Sequence, residues 1–295
     1  MSGTFALRAP LGACSRTAPG RARPLVPPVA FYPCGARTLC QETVGGAQCP
    51  ARGLVVAMAA DPAADVKWEP SDAVLECWRN ADAVCFDVDS TLCEDESIDE
   101  VAAFLGVGDK VAELTASAMG GDVKFEDALA ARLSLMNVSA KDMARFLDAH
   151  PPRISPGIRE LVSGLQEAGK EVFLVSGGFR QIINPIADIL KVPRTHVFAN
   201  TILYKDDAEG SYAGFDAQEF TSRSGGKANA VRHIRKEWGL TRVVMIGDGA
   251  TDLEARVADG AEMFIGYGGV VFRPNVAAGA DWYVKTFDPL IEGLK

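Results

Sequence analysis

The stretch AVCFDVDSTLC, residues 83–93, decides the fold. Its first part, AVCFDV, is short, apolar, and rich in β-branched and aromatic residues, which is typical of a strand buried on both faces. The stretch then turns polar and carries Asp87 and Asp89 one residue apart. Two unpaired carboxylates at the end of a buried strand would cost several kcal/mol. The chain must therefore supply a group that neutralises them.

Three later segments repeat this apolar pattern: EVFLVSGG (171–178), RVVMIGDG (242–249) and AEMFIGYGG (261–269). The segments around them have helical periodicity: residues 71–80, 156–168, 180–190 and 227–238. Strands that alternate with helices indicate a parallel sheet covered on both faces. The predicted fold is α/β, with a Rossmann-like parallel sheet as its core.

Two segments interrupt the alternation of strands and helices. Residues 94–155 have helical character throughout and predict an inserted helical cap, and residues 199–215 predict a β-hairpin around a polar turn. The predicted organisation follows in chain order: a leader at 1–60, an α/β core formed by 61–93 and 156–295, and the cap at 94–155.

Polar residues gather at the predicted strand ends. Because ligands bind beyond the carboxyl ends of parallel strands, these residues are expected to meet at one edge of the sheet. The set comprises Asp87, Asp89, Ser176, Gly177, Gly178, Asp248 and Asp252, with Lys227 at the start of a helix. A divalent cation would relieve the clustered carboxylates, and oxygen-only ligands favour Mg²⁺ before Ca²⁺. A phosphate needs hydrogen-bond donors, and these are supplied by the Ser176 hydroxyl, the N–H groups of Gly177 and Gly178 and the Lys227 ammonium group.

Four short motifs resemble those of haloacid dehalogenase-like phosphatases in the same order: DVDST (87–91), SGG (176–178), Lys227 and GDGATD (247–252). Two longer stretches, at 150–183 and 245–255, resemble the phosphoserine phosphatase branch of that superfamily. The resemblance covers about residues 75–295. It implies a hydrolase that forms an aspartyl-phosphate during catalysis.

The resemblance also implies a role for each motif residue. Asp87 is the expected nucleophile, and Asp89 the expected general acid and base. The expected Mg²⁺ ligands are the Asp87 side chain, the Asp89 main-chain carbonyl and Asp248. The remaining expected roles are phosphoryl binding by Ser176, Gly177, Gly178 and Lys227, substrate contact by Thr251, and support of Lys227 or of the metal's water shell by Asp252.

The cap segment FEDALAARLSLM (125–136) predicts the substrate. Arg132 shares one helical face with Phe125, Leu129 and Met136, so it is expected to be buried and to bind a substrate carboxylate. By resemblance, Glu96 binds the substrate ammonium group. Met119 and Gly120 correspond to the cap loop that closes over the substrate. These groups together describe O-phospho-L-serine, a small-molecule substrate.

The first 60 residues differ in composition from the rest of the chain. They hold six arginines, one acidic residue and seven prolines, a composition typical of an organelle transit peptide. Their charge of +5 leaves −14 on residues 61–295 of a chain with net charge −9, which disfavours nucleic acid as a partner. No apolar run is long enough to predict a membrane span. The expected location is the plastid stroma, with the mitochondrion as second choice.

The sequence leaves several alternatives open. The leader could be a disordered tail without an address, and Met58 could be an alternative start. A related enzyme could hydrolyse another small phosphate or transfer the phosphoryl group to an alcohol. A non-catalytic binding protein could retain the fold, although Asp87, Asp89, Lys227 and Asp248 all argue against decay. The oligomeric state is undetermined, with a homodimer as one alternative.

Overall fold

The computed structural model describes residues 66–118 and 124–295. The predicted leader, 1–60, lies outside the described residues. The strands are β1 (Ala83–Phe86), β2 (Glu171–Phe179), β3 (Val197–Asn200), β4 (Ile202–Tyr204), β5 (Tyr212–Phe215), β6 (Val243–Gly247), β7 (Met263–Tyr267) and β8 (Trp282–Val284). The helices are α1 (Asp72–Arg79), α2 (Ser97–Phe104), α3 (Gly108–Ala118), α4 (Phe125–Met136), α5 (Ala140–Ala149), α6 (Ile158–Glu167), α7 (Arg180–Leu190), α8 (Gly226–Glu237), α9 (Ala250–Leu253), α10 (Pro274–Gly279) and α11 (Asp288–Gly293).

Six strands form the predicted parallel sheet, in the order β3-β2-β1-β6-β7-β8. The four strands expected from sequence, β1, β2, β6 and β7, occupy its centre, so the predicted fold class is confirmed. The two outer strands were not predicted. β3 has four residues and β8 has three, which is too short for a recognisable apolar run.

Both faces of the sheet are covered, which explains the continuous apolar runs. In β1, Val84 and Phe86 join one core with residues of α1, α6, α7 and α11. Ala83 and Cys85 face the other way and pack with residues of α8 and α10. Successive side chains of a strand point to opposite faces, so a strand between two helical layers needs apolar residues at every position.

Helices α2 to α5 lie between β1 and β2 in sequence and share a third core with the hairpin. Val101, Leu129 and Met143 from these helices pack with Ile182 of α7 and Ile202 of β4. The predicted hairpin is confirmed as the antiparallel pair β4 and β5, although residues 199 and 200 belong to β3 instead.

The two connections into and out of the helical segment run side by side. Cys93 pairs with Ile154 in an isolated antiparallel bridge, and Ser155 N–H donates to the Leu92 carbonyl at 2.9 Å. The segment therefore leaves and re-enters the α/β core at one place, next to the turn that follows β1. Among the described residues, no helix has both the length and the apolar character needed to span a bilayer.

Candidate active site

A tight turn after β1 places Asp87 and Asp89 at the carboxyl edge of the sheet. The turn, Val88–Leu92, is not a regular helix: Asp89 is extended, with φ = −63° and ψ = 135°, and Ser90 adopts the left-handed region with φ = 53°. The Asp87 carboxylate accepts a hydrogen bond of 2.7 Å from the Val88 N–H. Both aspartates line the same cavity, as expected if they act on one substrate.

Lys227 lies beside the carboxylate at the end of β1. Its Nζ is 2.8 Å from Oδ1 of Asp87 and 2.7 Å from Oδ1 of Asp252. The three side chains are 10%, 9% and 0% exposed, respectively. Burial lowers the pKa of the ammonium group, but the attraction of the two carboxylates outweighs it and the pKa is raised. Lys227 therefore stays charged and offsets the repulsion between the two acids.

Three aspartates gather where β1 and β6 end. Carboxylate oxygens of Asp87, Asp248 and Asp252 lie within 4.8 Å of one another, and all three residues are buried. Burial, followed by repulsion from Asp87, raises the pKa of Asp248. The all-oxygen donor set fits a hard divalent cation such as Mg²⁺, which would relieve this repulsion.

Within this group, Asp252 is already occupied by other contacts. Its Oδ1 meets Lys227, and its Oδ2 accepts a 3.0 Å hydrogen bond from the Gly249 N–H. A Cβ on Gly247 would lie 2.3 Å from Cγ of Asp252, so only glycine leaves room for this carboxyl group. Asp252 therefore supports Lys227, and Asp87 and Asp248 remain the candidate metal ligands.

The end of β2 passes close to the acidic turn. The Gly178 N–H donates to the Ser176 hydroxyl at 2.9 Å. A Cβ on Gly178 would lie 2.9 Å from Oδ2 of Asp89, so glycine is required for this close approach. Gly177 and Gly178 line the cavity, whereas Ser176 is buried beneath them.

The two residues expected to bind an amino-acid head group face the same cavity, which has a volume of about 370 Å³. Glu96 accepts a 2.8 Å hydrogen bond from the Ser90 hydroxyl. Burial lowers the pKa of Arg132, while attraction to Asp99 and Glu96 opposes the shift. The predicted site residues that line this cavity are Asp87, Asp89, Glu96, Arg132, Gly177, Gly178, Lys227, Asp248 and Thr251. Met119 and Gly120 lie outside the described residues.

Arg273, just before α10, was not predicted from the sequence. Its Nε donates to Oδ2 of Asp248 at 2.9 Å, and its Nη2 lies 3.9 Å from Oε1 of Glu96. The side chain links a candidate metal ligand to a candidate substrate ligand. The one available signal was its place after β7, because loops that follow parallel strands line the ligand site.

Ser97, the first residue of α2, was also missed. Its N–H donates to Oδ1 of Asp89 at 3.0 Å. Burial, followed by repulsion from Asp87 and Glu96, raises the pKa of Asp89 to about 7, and the hydrogen bonds from Ser97 oppose this shift. An aspartic acid with this pKa can both donate and accept a proton near neutrality.

One contact joins the helical segment to the core across the cavity. Oε2 of Glu126, in the first turn of α4, lies 3.3 Å from both the N–H and the hydroxyl of Ser224. Ser224 lines the cavity and directly precedes the glycine pair at the start of α8. The contact holds α4 over the lysine end of the cavity.

Comparisons with known proteins give matches over most of the described part of the chain. A family model described as a haloacid dehalogenase-like hydrolase matches residues 81–258. The chloroplastic phosphoserine phosphatase of Arabidopsis thaliana is 56% identical over 225 residues, which cover 76% of this chain and 76% of that protein. The phosphoserine phosphatase of Bos taurus is 48% identical over 216 residues, which cover 73% of this chain and 94% of that protein.

A solved structure supports the same likeness. The structure described as a phospho-aspartyl intermediate analogue of phosphoserine phosphatase matches with a TM-score of 0.61 and 28% identity. The match covers 73% of this chain and 99% of that one. The likeness thus extends over almost the whole of the solved protein.

Proposed function

This chain belongs to the haloacid dehalogenase-like hydrolases and is a phosphoric monoester hydrolase, and we propose that its substrate is O-phospho-L-serine. One observation carries the proposal: Asp87 and Lys227 share a single cavity with Glu96 and Arg132. The first pair suits phosphoryl chemistry, and the second suits the ammonium and carboxylate of an amino acid. The curated relatives described above are phosphoserine phosphatases, which supports the same substrate.

Asp87 is the proposed nucleophile. Its carboxylate oxygen attacks phosphorus, the bond from phosphorus to the serine oxygen breaks, and the phosphoryl group is left on Asp87 as an acyl phosphate. Lys227, 2.8 Å away, places a positive charge beside the attacking carboxylate. Water then attacks the same phosphorus, which releases inorganic phosphate and regenerates the carboxylate.

Asp89 is the proposed general acid and base. It protonates the departing serine oxygen in the first step and takes a proton from the attacking water in the second. Its pKa, raised by burial to about 7, supports both roles near neutral pH. Hydrogen bonding from the Ser97 N–H fixes the carboxyl group in position.

The phosphoryl oxygens are proposed to meet Lys227, the Gly177 N–H and the Ser176 hydroxyl, whose oxygen is held by the Gly178 N–H. These donors stabilise the charge that develops in the transition state. Asp87, Asp248 and the Asp89 main-chain carbonyl would hold Mg²⁺, which when bound supplies positive charge to the phosphoryl oxygens. Thr251 lines the cavity and is proposed to contact the substrate.

Specificity is assigned to Glu96 and Arg132. Glu96 binds the substrate ammonium group, and the planar guanidinium of Arg132 binds its carboxylate. Residues 94–155 act as a lid, with the contact of Glu126 with Ser224 as a latch, and Met119 and Gly120 keep their predicted role in substrate binding. The similarity to a chloroplastic relative supports a plastid location, where the reaction would complete serine synthesis from a phosphorylated precursor.

The test is phosphate release by the full-length chain with Mg²⁺. O-phospho-L-serine is compared with phosphoethanolamine, which lacks the carboxylate, and with sugar phosphates. We expect a preference for phosphoserine of at least 10-fold in kcat/KM, and loss of activity with EDTA. Mg²⁺-dependent release without preference would retain the chemistry and overturn the assigned substrate. No release from any ester would favour a non-catalytic binding protein.

A further inference from the structure

Asn200, the last residue of β3, is fully buried next to the phosphoryl-binding end of β2. Its Nδ2 donates to the Gly177 carbonyl at 2.7 Å, and its Oδ1 accepts from the Thr221 hydroxyl at 3.1 Å. It does not line the cavity, but both of its partners do. A single side chain therefore links two segments that border the site.

The first link controls the direction of an N–H group. The Gly177 carbonyl and the Gly178 N–H belong to one planar peptide unit and point in opposite directions. Holding the carbonyl on Asn200 therefore turns the Gly178 N–H away from β3, towards the Ser176 hydroxyl at 2.9 Å. Glycines at 177 and 178 leave this peptide unit free to rotate, so an external constraint is needed.

The second link reaches the lysine. Thr221 belongs to a short segment packed against the start of α8, where a Cβ on Gly226 would lie 2.3 Å from the Phe220 carbonyl oxygen and 2.7 Å from Cα of Thr221. Such close contact between two backbones transmits the position of one to the other. Gly226 directly precedes Lys227, so Asn200 connects the two segments that carry the proposed phosphoryl-binding groups.

We propose that Asn200 is a positioning residue for phosphoryl transfer, which sets residues 176–178 at the end of β2 and the start of α8 in register with each other. The inference rests on the proposed function of that end of the cavity. Asn200 touches neither substrate nor metal in this account and acts through Gly177 and Thr221. A residue of this kind changes turnover more than binding of the amino-acid head group, because Glu96 and Arg132 are untouched.

The test uses Asn200→Leu, which keeps the branched shape of the side chain and removes both hydrogen bonds. Loss of a residue that orients a catalytic group reduces activity on the order of 10- to 100-fold. We expect that loss in kcat, with KM for O-phospho-L-serine changed less than about 3-fold. Inhibition by orthovanadate, a probe of the phosphoryl site alone, should weaken by a similar factor.

Two further variants separate positioning from general loosening. Thr221→Val removes one of the two bonds and should lower kcat several-fold, with no additional effect in the Asn200→Leu background. Val197→Ala removes a buried side chain from the same strand, without a link to Gly177, and should lower the melting temperature while kcat and vanadate inhibition stay unchanged.

Asn200→Leu with wild-type kcat and vanadate inhibition would overturn the inference. The inference would also be overturned if Val197→Ala lost as much activity as Asn200→Leu at an equal loss of melting temperature. A wild-type chain that cleaves a different phosphate ester instead would overturn only the proposed substrate, because the same variants can then be compared on that ester. If the effects of Asn200→Leu and Thr221→Val on kcat were additive, Asn200 would not act on α8 through Thr221.

Discussion

Lys227→Met tests whether the ammonium group holds the acidic centre together. In the wild-type chain, Nζ of Lys227 lies 2.8 Å from Asp87 and 2.7 Å from Asp252. The substitution keeps the side-chain length but leaves both carboxylates buried without this shared counter-charge. Removing one partner of a buried ion pair costs about 3–5 kcal/mol. At roughly 2–4 °C per kcal/mol for a chain of this size, the melting temperature should fall by about 6–20 °C.

The assay is thermal unfolding followed by circular dichroism in EDTA at about pH 7.5, with the exposed Lys236→Met of the same helix as control. The free energy of unfolding of the control should lie within about 0.5 kcal/mol of the wild-type value. Burial and repulsion from Asp87 already raise the pKa of Asp252, and loss of the lysine raises it further, so protonation of Asp252 relieves the penalty in Lys227→Met. The deficit should therefore shrink as the pH falls towards 5. An unchanged melting temperature, or a deficit that grows on acidification, would refute the reasoning.

Three other substitutions have defined outcomes. Arg132→Ala should lower kcat/KM for phosphoserine by about 1.5–3 kcal/mol, roughly 10- to 150-fold, and leave phosphoethanolamine unchanged in the same steady-state assay. Gly178→Ala should lower kcat at least about 10-fold in phosphate-release kinetics, because the added methyl meets Oδ2 of Asp89 at 2.9 Å. Asp82→Ala should lose about 1 kcal/mol in urea unfolding at neutral pH, because the Asp82 carboxylate accepts two backbone hydrogen bonds of 2.8 Å just before β6. The hydrogen bond from the Arg242 N–H is the main cause of the lowered pKa of Asp82. The stability that Asp82 contributes is therefore present above about pH 4 and is lost as the pH falls through its folded pKa. A stability deficit of Asp82→Ala that stays the same at about pH 3 would contradict this.

The central strands could be predicted because both of their faces are buried. Phe86 and Cys85 face opposite helical layers, so an uninterrupted apolar run was required and was visible in the sequence. The edge strand β8 has three residues, and β3 runs directly into the hairpin, so neither has a distinct local pattern. Asn200 was consequently assigned to the hairpin instead of the sheet.

Site residues were predictable where strand ends fix them. Asp87 and Asp248 follow neighbouring parallel strands, so their meeting is a consequence of topology. Arg273 reaches Asp248 from a loop six residues beyond β7, and its path depends on tertiary packing, with no local periodicity. Ser97 contributes mainly a backbone N–H to Asp89, and no side-chain pattern can reveal such a donor.

The most direct test of the account is covalent labelling of Asp87 by its proposed substrate. The full-length chain is mixed with Mg²⁺ and O-phospho-L-serine carrying radiolabelled phosphate, quenched in acid during the first turnovers, and digested for peptide mapping. We expect label on the peptide that contains Asp87, and we expect an equal concentration of unlabelled phosphoserine, but not of phosphoethanolamine, to reduce it. Release of phosphate with no label on that peptide, or equal competition by both esters, would contradict it.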